Sequence, residues 1–328
     1  MIIKKMPVLI LIMGFFTGII TSSCNKSNPY KKHALPADPL IRQALQTLVN
    51  GLQNPDSRIR SATIEIIAQT RQTRLLLRVR TLLRDQSVPV RFAALLAIGD
   101  MQYALAKSDI LQIFNETREN INIRMAAAYA LTKLGYKKYE KFYFNAINNT
   151  NPTVRANAAL LMGKTNNKKS IKMLYWALSD INSNETVRCQ VIEAIAMLGH
   201  SDIYQKIWSR LISAFADDRI SAIKAMGALG TGLCRDALLT MLNDPVTEVR
   251  IAAAEQLGKL GDYSGKEILL DALNTKIQGN TPEKIRIKIM TAMAIAQIKT
   301  DDLTRYLPQL LSDPSEFVQI AAAKAVLL

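Results

Sequence analysis

Histidine and cysteine are almost missing from this 328-residue chain, which has two of the first and three of the second. His33 and His200 stand far apart and share no local cluster of ligand-type residues, so no histidine-based metal centre is expected. Cys189 and Cys234 lie 45 residues apart and read as two free thiols that pack like small hydrophobic side chains. Aromatic residues make up 6% of the chain against 49% hydrophobic. That balance argues against an aromatic-rich sheet core and for helices packed through Ala, Leu and Ile. Chemistry is equally scarce. No serine lies in a nucleophile elbow. The glycines of Gly227-Ala-Leu-Gly230-Thr-Gly232 have no strand before them, and Gly265-Lys266 has Leu260 where a phosphate loop needs its first glycine. The acid pairs Asp217-Asp218 and Asp301-Asp302 read as caps in inter-helix loops. The expectation is a protein that is not an enzyme, with no catalytic, cofactor-binding or metal residues.

What the chain does have is a repeat. Asp244-Pro-Val-Thr-Glu-Val-Arg250-Ile-Ala-Ala-Ala-Glu-Gln-Leu-Gly-Lys-Leu-Gly261 recurs in degraded form. Its arginine falls at Arg60, Arg91, Arg124, Arg155, Arg188, Arg219, Arg250 and Arg286, in steps of 31, 33, 31, 33, 31, 31 and 36, and Gln319 follows after another 33. Such a period marks a stacked array of helix pairs. The residue before the arginine is β-branched and apolar, as in Ile59, Val90 and Val249, with Asp218 the one departure. The third residue after it is usually small (Ala94, Ala127, Ala158, Ala222, Ala253, Ala322), and the seventh is always apolar. These positions share one helical face. Gly135, Gly199, Gly230 and Gly261, eleven after the arginine, suit a left-handed helix stop. Asn or Asp stands six before it, as at Asn54, Asp85, Asp244 and Asp313. A second apolar helix follows in each unit, for example over 75–83, 171–178 and 238–242. One such pair cannot bury its apolar face alone, whereas a stack can. The expected fold is all-α, an α-α superhelix of about eight to nine helix pairs forming one elongated array.

These residues resemble the HEAT-repeat family, specifically the short HEAT-like repeats of the phycobilin-lyase type, over roughly residues 54–328. The resemblance implies that the Asp or Asn before the helix and the arginine within it tie neighbouring repeats by hydrogen bonds. That role passes to Arg91, Arg155, Arg219 and Arg250, while Ser87 and Gln319 depart from the family pattern and read as drift or end-capping.

Charge is uneven. The formal net charge is +15; residues 25–172 hold 24 Lys/Arg against 9 Asp/Glu, and residues 173–328 hold 16 against 18. The array from 38 onward thus divides into a basic half, 38–172, and a near-neutral half, 173–328, and an anionic neighbour is expected at the basic end. Arg71–Arg84 is the most basic stretch and reads as one amphipathic helix, with Arg71, Arg74 and Arg78 on one side of its apolar arc. At the start of the second helix, successive basic-half units carry Arg74, Lys107, Lys137/Lys138 and Lys168/Lys169, where later units carry Asp202, Arg235, Lys266 and Asp301/Asp302. A cation there opposes the helix dipole, at a cost of about 0.3–1 kcal/mol. Its persistence through four units reads either as a docking strip or as a loop that tolerates any charge.

Residues 1–23 read as an export signal: Lys4 and Lys5, then a 15-residue apolar run, Met6–Ile20, too short for a membrane span. Thr21-Ser22-Ser23-Cys24 resembles the bacterial lipobox, which implies lipidation of Cys24, although the usual leucine is Thr21. Asn25 favours the outer membrane facing the periplasm, and residues 24–37 read as the lipidated cysteine and a tether. Asp38-Pro39 starts a helix that stops near Gly51 and is expected to cap the array. The leading expectation is a lipid-anchored scaffold in the bacterial cell envelope that binds a protein or an anionic envelope component. The alternatives are a cofactor lyase or its accessory, implied by the resemblance, and a nucleic-acid-binding repeat protein. Export disfavours nucleic acid, as does the lack of aromatics interleaved with the arginines.

Overall fold

The computed structural model describes residues 38–276 and 279–328, and among these the chain is all-helical. Helix α1 (Pro39–Gly51) leads into α2 (Ser57–Gln69), α3 (Leu76–Thr81), α4 (Val88–Asp100), α5 (Lys107–Asn115) and α6 (Ile121–Lys133). Then come α7 (Glu140–Asn145), α8 (Pro152–Lys164), α9 (Ile171–Ser179), α10 (Glu185–Met197), α11 (Tyr204–Leu211) and α12 (Ala216–Leu229). The chain ends with α13 (Gly232–Thr240), α14 (Thr247–Lys259), α15 (Lys266–Asp271), α16 (Pro282–Ile295), α17 (Asp301–Thr304), α18 (Leu307–Leu311) and α19 (Glu316–Leu327). The motif helices are α2, the even-numbered helices through α16, and α19. Each packs beside the motif helix before it and the one after. They are apolar nearly all round, as in α4, where Val90 and Phe92–Gly99 are all buried, because neighbours cover both flanks and a short second helix covers the back.

Caps set the element boundaries. Asp38, Asp56, Asn120 and Asn151 each accept from the backbone N–H two residues on, at 2.8–2.9 Å. Gly135, Gly199, Gly230 and Gly261 take φ values of 99°, 70°, 65° and 79°. Arg71, Gln102 and Asn166 fill the same place in units without that glycine, and they too are left-handed, at 51°, 52° and 55°. This corrects the reading of Arg71–Arg84 as one helix. Arg71 is a turn residue, Arg74 lies in a 3-10 turn over Thr73–Leu75, and α3 begins only at Leu76.

The array is not elongated, and α1 does not cap an open end. Helix α19 packs against α16 on one side and against α1 and α2 on the other, so the solenoid closes on itself. Asn54 Nδ2 donates to Glu316 Oε1 (2.7 Å), Gln43 Nε2 to Ser312 Oγ (3.3 Å), and the Arg58 guanidinium lies 5.8 Å from the Phe317 ring centroid. Small residues allow the inner helices to come close. A Cβ on Gly163 would lie 2.8 Å from Ala194 Cα, and one on Gly99 would lie 2.9 Å from Ala130 Cα.

The 31-residue step has a bonding cause. Arg60 bonds Asp85, Arg155 bonds Asp180, Arg219 bonds Asp244 and Lys288 bonds Asp313, each across 25 residues and at 2.7–2.9 Å. Six residues further on, Arg91, Arg250 and Gln319 donate to the backbone carbonyls of Asp85, Asp244 and Asp313 at 2.7–2.8 Å. One aspartate therefore joins two units. The motif position at the long step is Lys288, not Arg286; Arg286 pairs instead with Glu248. Among the described residues the Arg250 side chain bonds Asp244 O and Thr247 Oγ1, within its own turn. The two arginines that follow a 33-residue step lack the link; the turns before their helices span 116–120 and 180–184. Arg124 turns to Phe114 O (3.1 Å) and lies 5.0 Å from the Phe142 ring centroid. The Arg188 side chain forms no hydrogen bond or ion pair among the described residues. Arg91 reaches Glu119 (3.0 Å), and Asp218, the odd residue before Arg219, is held by Arg210 (3.1 Å) and Ser213 (2.9 Å). Gln319 keeps the carbonyl half of the arginine's role, so it does not mark an end.

Closure also gathers charge at the axis. Glu65 on α2 lies within electrostatic reach of Lys164, Lys224 and Lys324, on α8, α12 and α19. Lys224 in turn meets Glu193 and Glu255. Asp100 accepts from the Tyr129 hydroxyl and pairs with Lys164 at 2.9 Å, and Glu255 pairs with Lys259 at 3.3 Å. Burial pushes the Glu65 carboxyl up to about 7 against the pull of the three lysines. Lys324, only 1% exposed, is pushed down to about 8 by burial, opposed by Glu255.

Two outcomes follow from this packing. Gly163→Ala should lower stability in urea unfolding by roughly 1–3 kcal/mol. Gly232→Ala, where an added Cβ meets nothing within 4 Å, should stay within about 0.5 kcal/mol of the parent. The second concerns pH. Folding raises the Glu65 pKa, so the folded chain holds that proton more tightly than the unfolded chain between about pH 4.5 and 7. Glu65 therefore makes stability fall as pH rises through that window. Glu65→Gln should remove this contribution, on the order of 1–3 kcal/mol, read as a flatter melting-temperature profile from pH 4.5 to 7.

Candidate interaction surface

The motif helices α2, α4, α6, α8 and α10 end at one rim of the ring, where a left-handed residue and a 3-10 turn lead into the second helix. The turns are Thr73–Leu75, Ala104–Ala106, Lys137–Tyr139 and Lys168–Ser170 in the basic half. Arg71, Arg74, Arg78, Lys107, Lys137, Lys138, Lys168 and Lys169 all lie at or just beyond these turns, and all are exposed. Neighbouring turns touch. Lys107 Nζ lies 4.5 Å from the ring centroid of Tyr136 in the next unit, and Asn167 Nδ2 donates to Glu140 Oε1 at 2.8 Å. The structure thus brings the eight cations onto one rim.

Their environment differs from that of the later units. None of the eight forms an ion pair among the described residues. On the same rim further round, Arg235 pairs with Asp262 at 3.1 Å and Lys266 with Asp302 at 2.5 Å, and Lys266 pulls the Asp302 carboxyl down to about 2. At Lys107 the nearest specific contact is the face of an aromatic ring, which leaves the ammonium charge uncompensated. The opposite rim carries the carboxylates that cap the motif helices and hold the cross-unit arginines, among them Asp56, Asp85, Asp180, Asp244 and Asp313. The ring therefore has one rim on which carboxylates are paired with arginine or lysine and one rim that is basic over half its circumference.

Other residues singled out in the sequence find structural places. Gly227 packs against Gln256, Gly230 is the left-handed stop of α12, and Gly232 opens α13. Cys234 is buried beside Thr231 Oγ1 (3.1 Å), Cys189 lies 3.0 Å from Arg210 Nη2, and both are free thiols. His200 Nδ1 is 3.1 Å from the Tyr175 hydroxyl. His33, Cys24 and the expected export signal and tether lie outside the described residues. The axial charges and the exposed apolar side chains beside the strip went unnoticed in the sequence. The charges do carry a signal there: Glu65, Glu193, Lys224, Glu255 and Lys324 all stand five residues after a motif position.

Among solved structures, the chain is similar to the CpcE–CpcF complex of phycocyanin lyase from Nostoc sp. PCC7120, at 18% identity and a TM-score of 0.42, over 77% of this chain and 94% of that one. It is also similar to human deoxyhypusine hydroxylase, at 15% identity and a TM-score of 0.34, over 88% of this chain and 96% of that one. A third is Kap121p bound to Pho4p, at 17% identity and a TM-score of 0.36, over 88% of this chain and 37% of that one. No curated protein matches the chain in sequence. HEAT repeats match residues 45–132, 140–214 and 205–280. With most of its length matched in this way, and helix pairs stacked through a recurring arginine, the chain belongs to the HEAT-repeat family.

Proposed function

We propose that this protein is a non-enzymatic docking ring, exported and lipid-anchored through Cys24 in the bacterial cell envelope, whose basic rim binds an anionic partner. The observation that carries this reading is the exposed, ion-pair-free row of Arg71, Arg74, Arg78, Lys107, Lys137, Lys138, Lys168 and Lys169 at equivalent turns. Four successive units keep a cation where the helix dipole disfavours one, and stability alone does not account for that. Similar charge further round the rim is neutralised by Asp262 and Asp302. The anchor reading rests on Thr21-Ser22-Ser23-Cys24 and the apolar run before it.

Titration with inorganic polyphosphate tests the rim. Lys107→Glu/Lys138→Glu/Lys168→Glu should bind at least about tenfold more weakly than the parent at low salt, with a shallower salt dependence, since each lost cation removes a screened contact. Equal affinity in a variant with unchanged helicity would remove the rim from the proposal. Mass spectrometry of the chain expressed in a bacterium should find an N-terminal, acylated Cys24. An unmodified Met1 terminus would remove the anchor.

A further inference from the structure

The basic rim also carries exposed apolar side chains. Leu77, Leu105 and Tyr136 stand among the strip's cations, and Leu233 and Tyr263 continue the series on the same rim. Their exposure runs from 38% at Tyr136 to 65% at Leu233. Four of the five sit in the turns or at their edges: Leu105 in Ala104–Ala106, Tyr136 just before Lys137–Tyr139, Leu233 at the start of α13, and Tyr263 before α15. Leu77 is the second residue of α3, beside Arg78 and one turn from Arg74. Because the solenoid closes and successive turns touch, these side chains and the eight cations belong to one continuous face rather than to scattered points along a rod.

The geometry points to a phospholipid bilayer surface with anionic head groups as the partner of this rim; this rests on the proposed anionic docking function and specifies its ligand. A rim that bound only a soluble polyanion would need the cations alone. Leucine and tyrosine standing out at loop tips between lysines and arginines match the head-group boundary, where apolar groups enter the acyl edge and cations stay with the phosphates. The ring's other rim distinguishes apolarity from function. Ile181, Ile212 and Phe215 are exposed there as well, but the nearby guanidinium groups of Arg155, Arg210 and Arg219 are paired with carboxylates and leave no excess positive charge beside them. The basic strip offers both components together over successive turns.

The test compares the full chain with Leu77→Ser/Leu105→Ser/Leu233→Ser, which keeps every cation and alters only exposed positions. Binding is measured by sedimentation with phosphatidylcholine vesicles, with mixed phosphatidylcholine–phosphatidylglycerol vesicles, and by titration with inorganic polyphosphate. All samples keep residues 1–37, so differences between them report the rim. The expected result is at least about a tenfold loss of affinity for the mixed vesicles in the variant, with polyphosphate binding unchanged. Hydroxyl-radical footprinting of the unmodified chain should also show Leu105 and Tyr136 protected by mixed vesicles and not by polyphosphate, a readout that does not depend on the variant's folding. If the variant binds mixed vesicles as the parent does, or if the parent binds polyphosphate but leaves Leu105 and Tyr136 unprotected on vesicles, the bilayer assignment is overturned and anionic docking stands. If the parent binds neither vesicles nor polyphosphate, both readings fall.

Discussion

A motif helix here is apolar on nearly all sides, so it needs a neighbour on each flank. In a finite open stack the first and last helices cannot both have one. Closure meets the requirement for every unit at once: α19 supplies α1 and α2 with the partner that an open array would leave to solvent. The wedge shape of the units makes this possible. Ala and Gly bring the motif helices together near the axis, as at Gly163 and Ala194, while the second helices fill the wider outer layer. Buried apolar surface is the main gain from folding, and the ring leaves no terminal motif helix without a flank to bury.

The same closure has an electrostatic cost. Side chains that would face an open groove in a loosely curved array converge on the axis instead. Acids from α2, α4, α10 and α14 meet lysines from α8, α12, α14 and α19. Signs are mixed, so attraction offsets part of the loss of water, yet Glu65 and Lys324 both shift toward their neutral forms. The rim has the reverse condition. The eight cations of its basic half remain in water and form no ion pair among the described residues, free to meet another charged surface.

The repeat was legible in the sequence because packing and bonding recur at fixed offsets: small residues three after the arginine, apolar ones at seven, glycine at eleven. The aspartate-to-arginine bridge was legible only by resemblance, and then imperfectly. Arg219 makes the full link despite its unusual neighbour Asp218, whereas Arg250 makes only the local half. Lys288 replaces Arg286 because this unit is longer, 38 residues from Arg250 to Lys288, and an offset counted from arginines passes over a lysine in the bonding position. Closure could not be read at all, since a period reports what one unit does to the next and not how far the turns add up. The glycines at the eighth place (Gly99, Gly163, Gly227 and Gly258) were its nearest trace, marking the positions where motif helices crowd most closely. The basic strip was visible as a charge pattern, but the leucines and tyrosine among its cations were not, because periodicity alone does not say which apolar residues stay outside.

A ring of stacked modules has a fixed membership. Open arrays of this kind lengthen or shorten by duplication and loss of single modules, since each new end serves as well as the old one. Here one additional module would push α19 away from α1, and one fewer would leave a slot between them. Divergence in such a chain is confined to substitution and to the lengths of its units, and that is where the 33-residue steps and the longer unit ending at Lys288 are found.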